Sequence, residues 1–201
     1  MVILREYGII KNMAQYKIKD GEELRIAISG KSGCGNTTVS TMIAERLGIK
    51  LINYTFRNLA KERGISFEEI IEKAKTDFSY DKYVDTQQVE LAKEESCVLG
   101  SRLAIWMLEE ADVKIYLYAN EDVRAKRIFE REGGDLEKIK AFTLMRDSED
   151  TRRYKELYGI DNSTYEGVAD IVIDSEFYSA EEIVSLIFAE LEMLEMITLV
   201  E

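Results

Sequence analysis

Histidine and proline are absent from this sequence, and cysteine occurs only twice. Without histidine, Ser-His-Asp and Cys-His triads, histidine-ligated zinc and imidazole bases are excluded. Cys34 and Cys97 are too few for a disulfide framework or a thiolate zinc site. Two unpaired thiols fit a reducing compartment, so we expect a cytoplasmic protein.

Positive charge is also scarce. The chain has 27 Lys and Arg against 39 Asp and Glu, a net charge of −12. This balance argues against binding to nucleic acid polymers or to anionic membranes, and no apolar run approaches the ~20 residues that a membrane span needs. With 46% hydrophobic residues, the chain is expected to fold, as a monomer whose partners are small molecules.

Short apolar segments alternate with helical patterns along the chain. Segments rich in Ile, Val and Leu are typical of strands buried on both faces of a parallel sheet. The predicted strands are Leu24–Ser29, Lys50–Tyr54, Cys97–Gly100, Val113–Tyr118 and Asp170–Asp174. Their alternation with helices predicts an α/β three-layer sandwich over residues 24–201, preceded by an extension of residues 1–23.

Capping residues mark the helix boundaries. A side-chain oxygen of Ser, Asn or Asp can accept from the first helical N–H groups, and Gly readily adopts the left-handed conformation that ends a helix. The predicted N-terminal caps are Ser66, Asn120, Asp135 and Ser179. The predicted helix ends are at Gly48, Gly133 and Gly159.

The segment between the first strand and the first helix has the pattern of a phosphate-binding loop. Its residues are Gly30, Lys31, Ser32, Gly33, Cys34, Gly35, Asn36 and Thr37. It fits G-x-x-x-x-G-K-[ST] except at Asn36, which occupies the lysine position. Glycines let successive N–H groups converge on one anion, and the helix N-terminus adds its dipole. We therefore predict nucleotide phosphates at this loop and Mg²⁺ at Thr37, with Lys31 as a candidate for the missing charge. The alternative is that this segment is an ordinary Gly-rich turn without a ligand.

An arginine set is the second chemical signal. It consists of Arg102, Arg124, Arg127, Arg131, Arg146 and Arg153. Arg102 follows the third strand directly, at the edge where α/β sheets bind ligands, and the others lie at helical spacing on two predicted helices. Guanidinium groups suit phosphoryl oxygens, so the set favours phosphoryl transfer by positioning and charge stabilisation. The alternative for any single arginine is a solvated helix face.

Five sequence runs resemble cytidylate kinase of the shorter, second type, within the P-loop nucleoside monophosphate kinases. In chain order they are SGKSGCGNTTVS, FRNLAKERGISFEEI, VLGSRLAIWM, RIFEREGG and RDSEDTRRYKELYGID, and they fall within about residues 24–190. The resemblance implies a five-stranded parallel sheet, a monophosphate-binding region over residues 55–95 and a lid over residues 124–160. It also implies transfer of a phosphoryl group from ATP to CMP or dCMP with Mg²⁺, in a subgroup that often lacks the loop lysine.

The resemblance carries roles over by position. The residues implied to hold the ATP phosphates are those from Gly30 to Thr38. Those implied for CMP are Arg57 and Arg102 at its phosphate, and Asp85 and Gln88 at its pyrimidine or sugar. Arg127 and Arg131 match the lid arm over ATP, and Arg146, Asp150 and Arg153 match the cluster that joins the two substrates. The candidate catalytic residues are thus Lys31, Arg102, Arg127, Arg131, Arg146 and Arg153.

Three alternatives remain open from the sequence. The acceptor could be UMP, AMP or another small metabolite, because P-loop kinases share the ATP half. A nucleotide-binding regulator could have lost catalysis together with the loop lysine. An interaction protein could use the apolar face of the C-terminal helix, formed by Ile183, Leu186, Ile187, Leu191 and Leu194.

Overall fold

A computed structural model describes residues 15–200, and residues 1–14 of the predicted extension lie outside them. The strands are β1 (Tyr16–Ile18), β2 (Arg25–Gly30), β3 (Lys50–Ile52), β4 (Cys97–Gly100), β5 (Val113–Tyr118), β6 (Ile171–Asp174) and β7 (Ile197–Leu199). The helices are α1 (Asn36–Leu47), α2 (Phe56–Arg63), α3 (Phe67–Ala74), α4 (Ser79–Lys93), α5 (Ala104–Met107), α6 (Glu121–Glu132), α7 (Leu136–Tyr158) and α8 (Ala180–Met193).

Five strands form one parallel sheet in the order β3-β4-β2-β5-β6. The prediction of an α/β sandwich on these five strands is confirmed. Three of the five strands have bounds other than predicted. β2 is Arg25–Gly30 rather than Leu24–Ser29, and β6 begins at Ile171 rather than Asp170. The predicted strand Lys50–Tyr54 ends at Ile52, because the chain then turns toward Thr55, which caps α2. Since all five strands are parallel, the segments after β2, β4, β5 and β6 leave the sheet at the same edge, where α/β folds bind ligands.

The sheet is buried on both faces, as its Ile- and Val-rich strands require. On one face, Ile26, Ile28 and Ile115 pack with α1 and α8 in the larger apolar cluster. On the other face, Leu99 and Tyr116 pack with α4 and α5. Each large side chain fully removed from water contributes about 1.5–3 kcal/mol, so these two layers fix the sheet that carries the loop segments.

The predicted caps bound the helices as expected. All four predicted N-terminal caps accept a hydrogen bond from a backbone N–H of the first helical turn. Ser179 and Glu182 form the full reciprocal capping box. Gly48 and Gly159 end α1 and α7 in the left-handed conformation, each returning its N–H to carbonyls of the last turn.

A second, two-stranded sheet was not predicted. β1, within the predicted extension, pairs antiparallel with β7 near the other end of the chain. The Tyr16 ring meets the Phe188 ring edge to face, with centroids 4.8 Å apart, which attaches this sheet to α8. The apolar face of α8 is itself largely internal, because Ile183, Ile187 and Leu191 are at most 3% exposed. That packing does not favour an interaction protein working through the C-terminal helix.

Helices α2, α3 and α4 have a small apolar cluster of their own. Leu59, Ala60, Ile70 and Val84 are its buried members, and the cluster lies beside the β3–β4 edge of the sheet through α4. This region coincides with the predicted monophosphate-binding segment, residues 55–95. Among residues 15–200, no helix combines the length and apolarity that crossing a bilayer requires.

Candidate active site

The segment between β2 and α1 has the backbone geometry of an anion-binding loop. Gly33 and Gly35 have φ angles of +87° and +101°, which side chains other than hydrogen rarely allow. Within residues 15–200, the N–H groups of Ser32, Gly33 and Gly35 donate to no protein acceptor. These amides, together with the N–H groups in the first turn of the 12-residue helix α1, can therefore donate hydrogen bonds to a bound anion.

Asn36 takes the place of the usual lysine but does a different job. Its Nδ2 donates to the carbonyl oxygen of Gly30 at 2.8 Å, which closes the loop on itself. Gly30 cannot carry a side chain here, because a Cβ would lie 2.5 Å from the Leu117 carbonyl oxygen and 2.6 Å from Asn36 Oδ1. The lysine position thus holds the loop shape and supplies no charge.

Thr37 and Thr38 lie exposed at the start of α1. Neither hydroxyl donates to or accepts from another described residue, so the Thr37 oxygen is available as a ligand. Mg²⁺ usually keeps several waters and takes one or two protein oxygens together with substrate phosphates. A single threonine hydroxyl beside the loop fits that coordination.

Arg102 joins the loop to α7, which lies within the segment predicted to form a lid. It follows β4, and its Nη2 donates to Ser32 Oγ at 2.6 Å while its Nη1 lies 2.6 Å from Asp150 Oδ2 on α7. Asp150 is only 4% exposed, and its other oxygen lies 2.9 Å from Arg153 Nη2. Arg153 in turn reaches Asp81 on α4, with 3.5 Å between Nε and Oδ1. A chain of charged contacts therefore runs from the loop through α7 to α4.

Arg131 and Arg146 face the loop across a cavity of about 250 Å³. Ser32 lines the same cavity, so the loop and these two predicted site residues share one space. Partial desolvation and the positive charge of Arg102 lower the pKa of Arg146. Three cationic side chains, those of Arg131, Lys138 and Arg146, line this cavity together with the carboxylates of Glu132 and Asp135. The excess of positive charge suits the cavity to phosphate oxygens.

Arg127 is attached to backbone rather than to the cavity. Its Nη1 donates to Ser175 Oγ at 3.0 Å and to the Gly33 carbonyl at 3.3 Å, and Nη2 donates to the Ser175 carbonyl. It therefore connects α6 with the phosphate loop and with the segment after β6.

Lys31 and Cys34 lie on the wall of a different, larger cavity of about 1000 Å³, beside Tyr116 and Tyr165. Lys31 makes no ion pair or hydrogen bond through its side chain with any residue from 15 to 200. Cys34 is 2% exposed, and burial raises the pKa of its thiol to about 11. The thiol is accordingly protonated near neutral pH and is not an activated nucleophile.

The residues predicted for the acceptor lie in and beside the α2–α4 region. Arg57 is exposed on α2, with its guanidinium carbon 4.3 Å from the Phe67 ring centroid, and it does not touch the Arg102 network. Gln88 donates to the Tyr54 carbonyl at 2.9 Å. Asp85 accepts from the Tyr158 hydroxyl at 2.8 Å, which joins α4 to α7 a second time.

Asp85 gives the site a distinctive pH response. Burial raises its pKa to about 6, aided by the negative charges of Asp81 and Asp150 and opposed by the Tyr158 hydroxyl and Arg153. Because the folded state then holds this proton more tightly than the unfolded chain, stability conferred by protonated Asp85 is lost as pH rises from about 4 to about 6.

We therefore expect Asp85→Asn to gain stability over the wild-type protein as pH increases across that window. The difference in unfolding free energy between the two proteins should change by roughly 2–3 kcal/mol from pH 4 to pH 7. Urea unfolding at four pH values measures it. Parallel pH curves for the two proteins would show that Asp85 titrates normally.

The structure brings together most of the predicted site but not all of it. Ser32, Arg102, Asp150 and Arg153 form a contact network, whereas Arg57 and Lys31 lie apart from it. Sequence reasoning missed Asp81, whose partner is on another helix, and the pairing of Arg124 with Asp147. Carboxylates are common on helices. Only their positions opposite an arginine in the folded protein distinguish Asp81 and Asp147 from other acidic residues.

Comparison with known proteins identifies relatives of this chain. A family model described as the cytidylate kinase-like family matches residues 25–177. A cytidylate kinase 2 of Borreliella afzelii is 46% identical over 172 residues, covering 84% of this chain and 97% of that protein. A cytidylate kinase of Archaeoglobus fulgidus is 37% identical over 173 residues, covering 85% of this chain and 96% of that protein.

The fold has relatives among solved structures as well. Shikimate kinase from Bacteroides thetaiotaomicron superposes with a TM-score of 0.58 at 16% identity, covering 86% of this chain and 98% of that one. Identity this low supports the P-loop kinase fold and nothing about the acceptor.

Proposed function

This chain belongs to the cytidylate kinase-like family and is an ATP-dependent nucleoside monophosphate kinase, and from that membership we propose that its acceptor is CMP or dCMP. The product is then CDP or dCDP, with ADP as the second product. The proposal extends to the residues that hold the two substrates and to Mg²⁺ as the accompanying ion.

The observation that carries the site assignment is the position of Arg102. One guanidinium contacts Ser32 on the phosphate loop and Asp150 on the lid-region helix, at the edge where β4 ends. A phosphoryl group moving from ATP on the loop to an acceptor beside α4 passes this point. Arg102, Arg131 and Arg146 would share the charge that develops on its oxygens, as planar donors suit phosphates.

The chemistry needs no protein nucleophile. A phosphate oxygen of CMP forms a bond to the γ-phosphorus of ATP as the bond from that phosphorus to the β–γ bridging oxygen breaks, and ADP leaves with the electron pair. Mg²⁺ beside Thr37 would neutralise phosphate charge. Loop amides orient ATP, and Asp150 orients Arg102 and Arg153, so positioning supplies the rate enhancement. The packing of α6 and α7 over the loop would exclude water, which would otherwise hydrolyse ATP.

Acceptor recognition is proposed for the α2–α4 region. Arg57 has no carboxylate partner among residues 15–200, so its charge is available to the CMP phosphate. Asp85 and Gln88 lie on one side of α4 at i, i+3 spacing, which suits them to the pyrimidine or its sugar. Asp85 accepts from the Tyr158 hydroxyl, and Gln88 donates to the Tyr54 carbonyl.

The missing loop charge gives a comparison between two variants. If Lys31 replaces the absent lysine, Lys31→Ala should lower kcat more than Asn36→Ala does, because Asn36 acts only on loop shape through Gly30. Steady-state kinetics with ATP and CMP measure both. A larger loss in Asn36→Ala would assign the loop's function to its geometry and leave Lys31 outside the site.

Phosphoryl transfer from ATP–Mg²⁺ to CMP, dCMP, UMP and AMP tests the proposed acceptor. We expect kcat/KM for CMP or dCMP to exceed that for UMP and AMP by at least tenfold. Faster turnover of UMP or AMP would reassign the acceptor. ATP binding with no transfer to any of the four would instead favour the nucleotide-binding regulator.

A further inference from the structure

A buried ion pair lies against the phosphate loop, on the wall of the larger cavity that Lys31 and Cys34 also line. Arg124 on α6 is 4% exposed and Asp147 on α7 is 8% exposed, with 2.8 Å between Nη1 and Oδ2. Charged side chains are rarely buried to this extent unless they are paired, because each loses its hydration. Such a pair in a helical arm needs an explanation beyond stability, since an apolar pair of similar volume is often at least as stable.

The loop rests directly on this arginine. The same Nη1 donates to the carbonyl oxygen of Ser32 at 3.1 Å. A Cβ on Gly33 would lie 2.9 Å from both the Cβ and the carbonyl oxygen of Arg124, so the backbones of loop and helix are in close contact there. Arg127, one turn along α6, adds a donor to the Gly33 carbonyl.

These donors bind the loop's carbonyl groups and so determine where its N–H groups point. In a peptide unit the C=O and N–H are opposed, so a carbonyl drawn toward α6 turns the amides away from α6. Asp147 neutralises Arg124, which means that the pair acts through geometry rather than by adding net charge to the phosphate site. Asp147 also ties α7 to the same point, so loop and both helices share one anchor.

We propose that Arg124 and Asp147 are positioning residues that hold the phosphate loop in its ATP-binding conformation. The inference rests on the proposed function, since it takes ATP as the ligand of the loop. Neither residue touches substrate in this role. Their loss should therefore weaken ATP use far more than CMP use.

The two cysteines provide a readout that does not depend on activity. Cys34 lies on the loop at 2% exposure and Cys97 lies in β4 at 0% exposure. If the loop leaves its position in an otherwise folded protein, a thiol reagent reaches Cys34 and not Cys97. If the whole fold opens, both thiols react together.

The main test uses the double variant Arg124→Met/Asp147→Leu, which removes both charges and leaves neither unpaired. Alkylation with N-ethylmaleimide is followed at each cysteine by mass spectrometry, with the melting temperature as a check of the fold. We expect Cys34 to react at least tenfold faster than in the wild-type protein, Cys97 to react at an unchanged rate, and KM for ATP to rise at least tenfold with KM for CMP within twofold.

A second variant keeps the inference testable if the double variant does not fold. Arg124→Lys retains the charge for Asp147 and the aliphatic stem against Gly33, but its nitrogen ends one bond short of the Nη1 position that contacts both Asp147 and the Ser32 carbonyl, so we expect about threefold faster reaction of Cys34 alone. Wild-type rates at Cys34 in a folded variant, or parallel acceleration of both cysteines, would overturn the positioning role. Failure of the wild-type protein to phosphorylate CMP would overturn the proposed function alone, because the labelling result does not use the acceptor.

Discussion

Arg102→Ala should lower kcat/KM for CMP by about 10²- to 10³-fold, the usual loss when one donor to a developing charge is removed. Arg102 bridges Ser32 and Asp150, and its positive charge is near enough to Arg146 to lower the pKa of that guanidinium. Its removal deletes a transition-state donor and leaves Asp150 paired with Arg153 alone, so that the carboxylate repels phosphate more strongly. Steady-state kinetics with CMP varied at saturating ATP measure the effect, with the melting temperature as a check of the fold.

Two further variants frame this result. Arg102→Lys keeps one charge but cannot serve Ser32 and Asp150 together, so it should recover only part of the loss. Arg46→Ala removes an arginine whose partner is Glu181 on α8, away from the site, and kcat/KM should stay within twofold. Wild-type kinetics in Arg102→Ala would remove Arg102 from the reaction and leave its contacts purely structural.

The second large effect is expected for Gly33→Ala, with kcat/KM for ATP reduced at least a hundredfold and a lower melting temperature. A residue with a side chain at φ +87° costs about 1–2 kcal/mol. The new methyl group would also lie 2.9 Å from the Arg124 carbonyl oxygen, which belongs to the helix backbone and cannot move freely. Overpacking of this kind adds roughly 1–3 kcal/mol, which loop displacement would relieve.

Gly35→Ala is the matched control for that prediction. Gly35 has a similarly unusual φ of +101°, but no atom lies within 4 Å of a Cβ placed there. It carries the backbone cost without the overlap, so it should retain at least tenfold more activity than Gly33→Ala. Equal losses would mean that backbone conformation alone, and not contact with α6, governs the loop.

Much of the fold was predictable from local patterns. The strands Cys97–Gly100 and Val113–Tyr118 have the predicted bounds, because a run of Ile, Val and Leu between turn residues is a local signal. Asn120 and Asp135 begin their helices as predicted, since capping is decided within one helical turn. β1 and β7 were not predicted: each is three residues long, and each gains its hydrogen bonds from a partner about 180 residues away.

The candidate site also has features that were predictable from the sequence and features that were not. The glycine spacing of the loop and the position of Arg102 after β4 were predictable from the sequence, because the segments that follow parallel strands meet at one edge of the sheet. The direction of Lys31, the turning of Asn36 toward Gly30 and the isolation of Arg57 depend on side-chain neighbours that chain order does not specify.

The amino-acid sequence by itself determined the layered α/β architecture, the helix ends, the phosphate loop and the family, since each depends on residues close together in the chain or on a run of matching motifs. Only the tertiary structure decided which charged side chains form ion pairs with each other. Arg124 pairs with Asp147, and Arg102 and Arg153 share Asp150, because α6 and α7 pack against each other and over the loop in one particular way. An ion pair acts over a few ångströms, so its partners follow from that packing rather than from spacing along the chain.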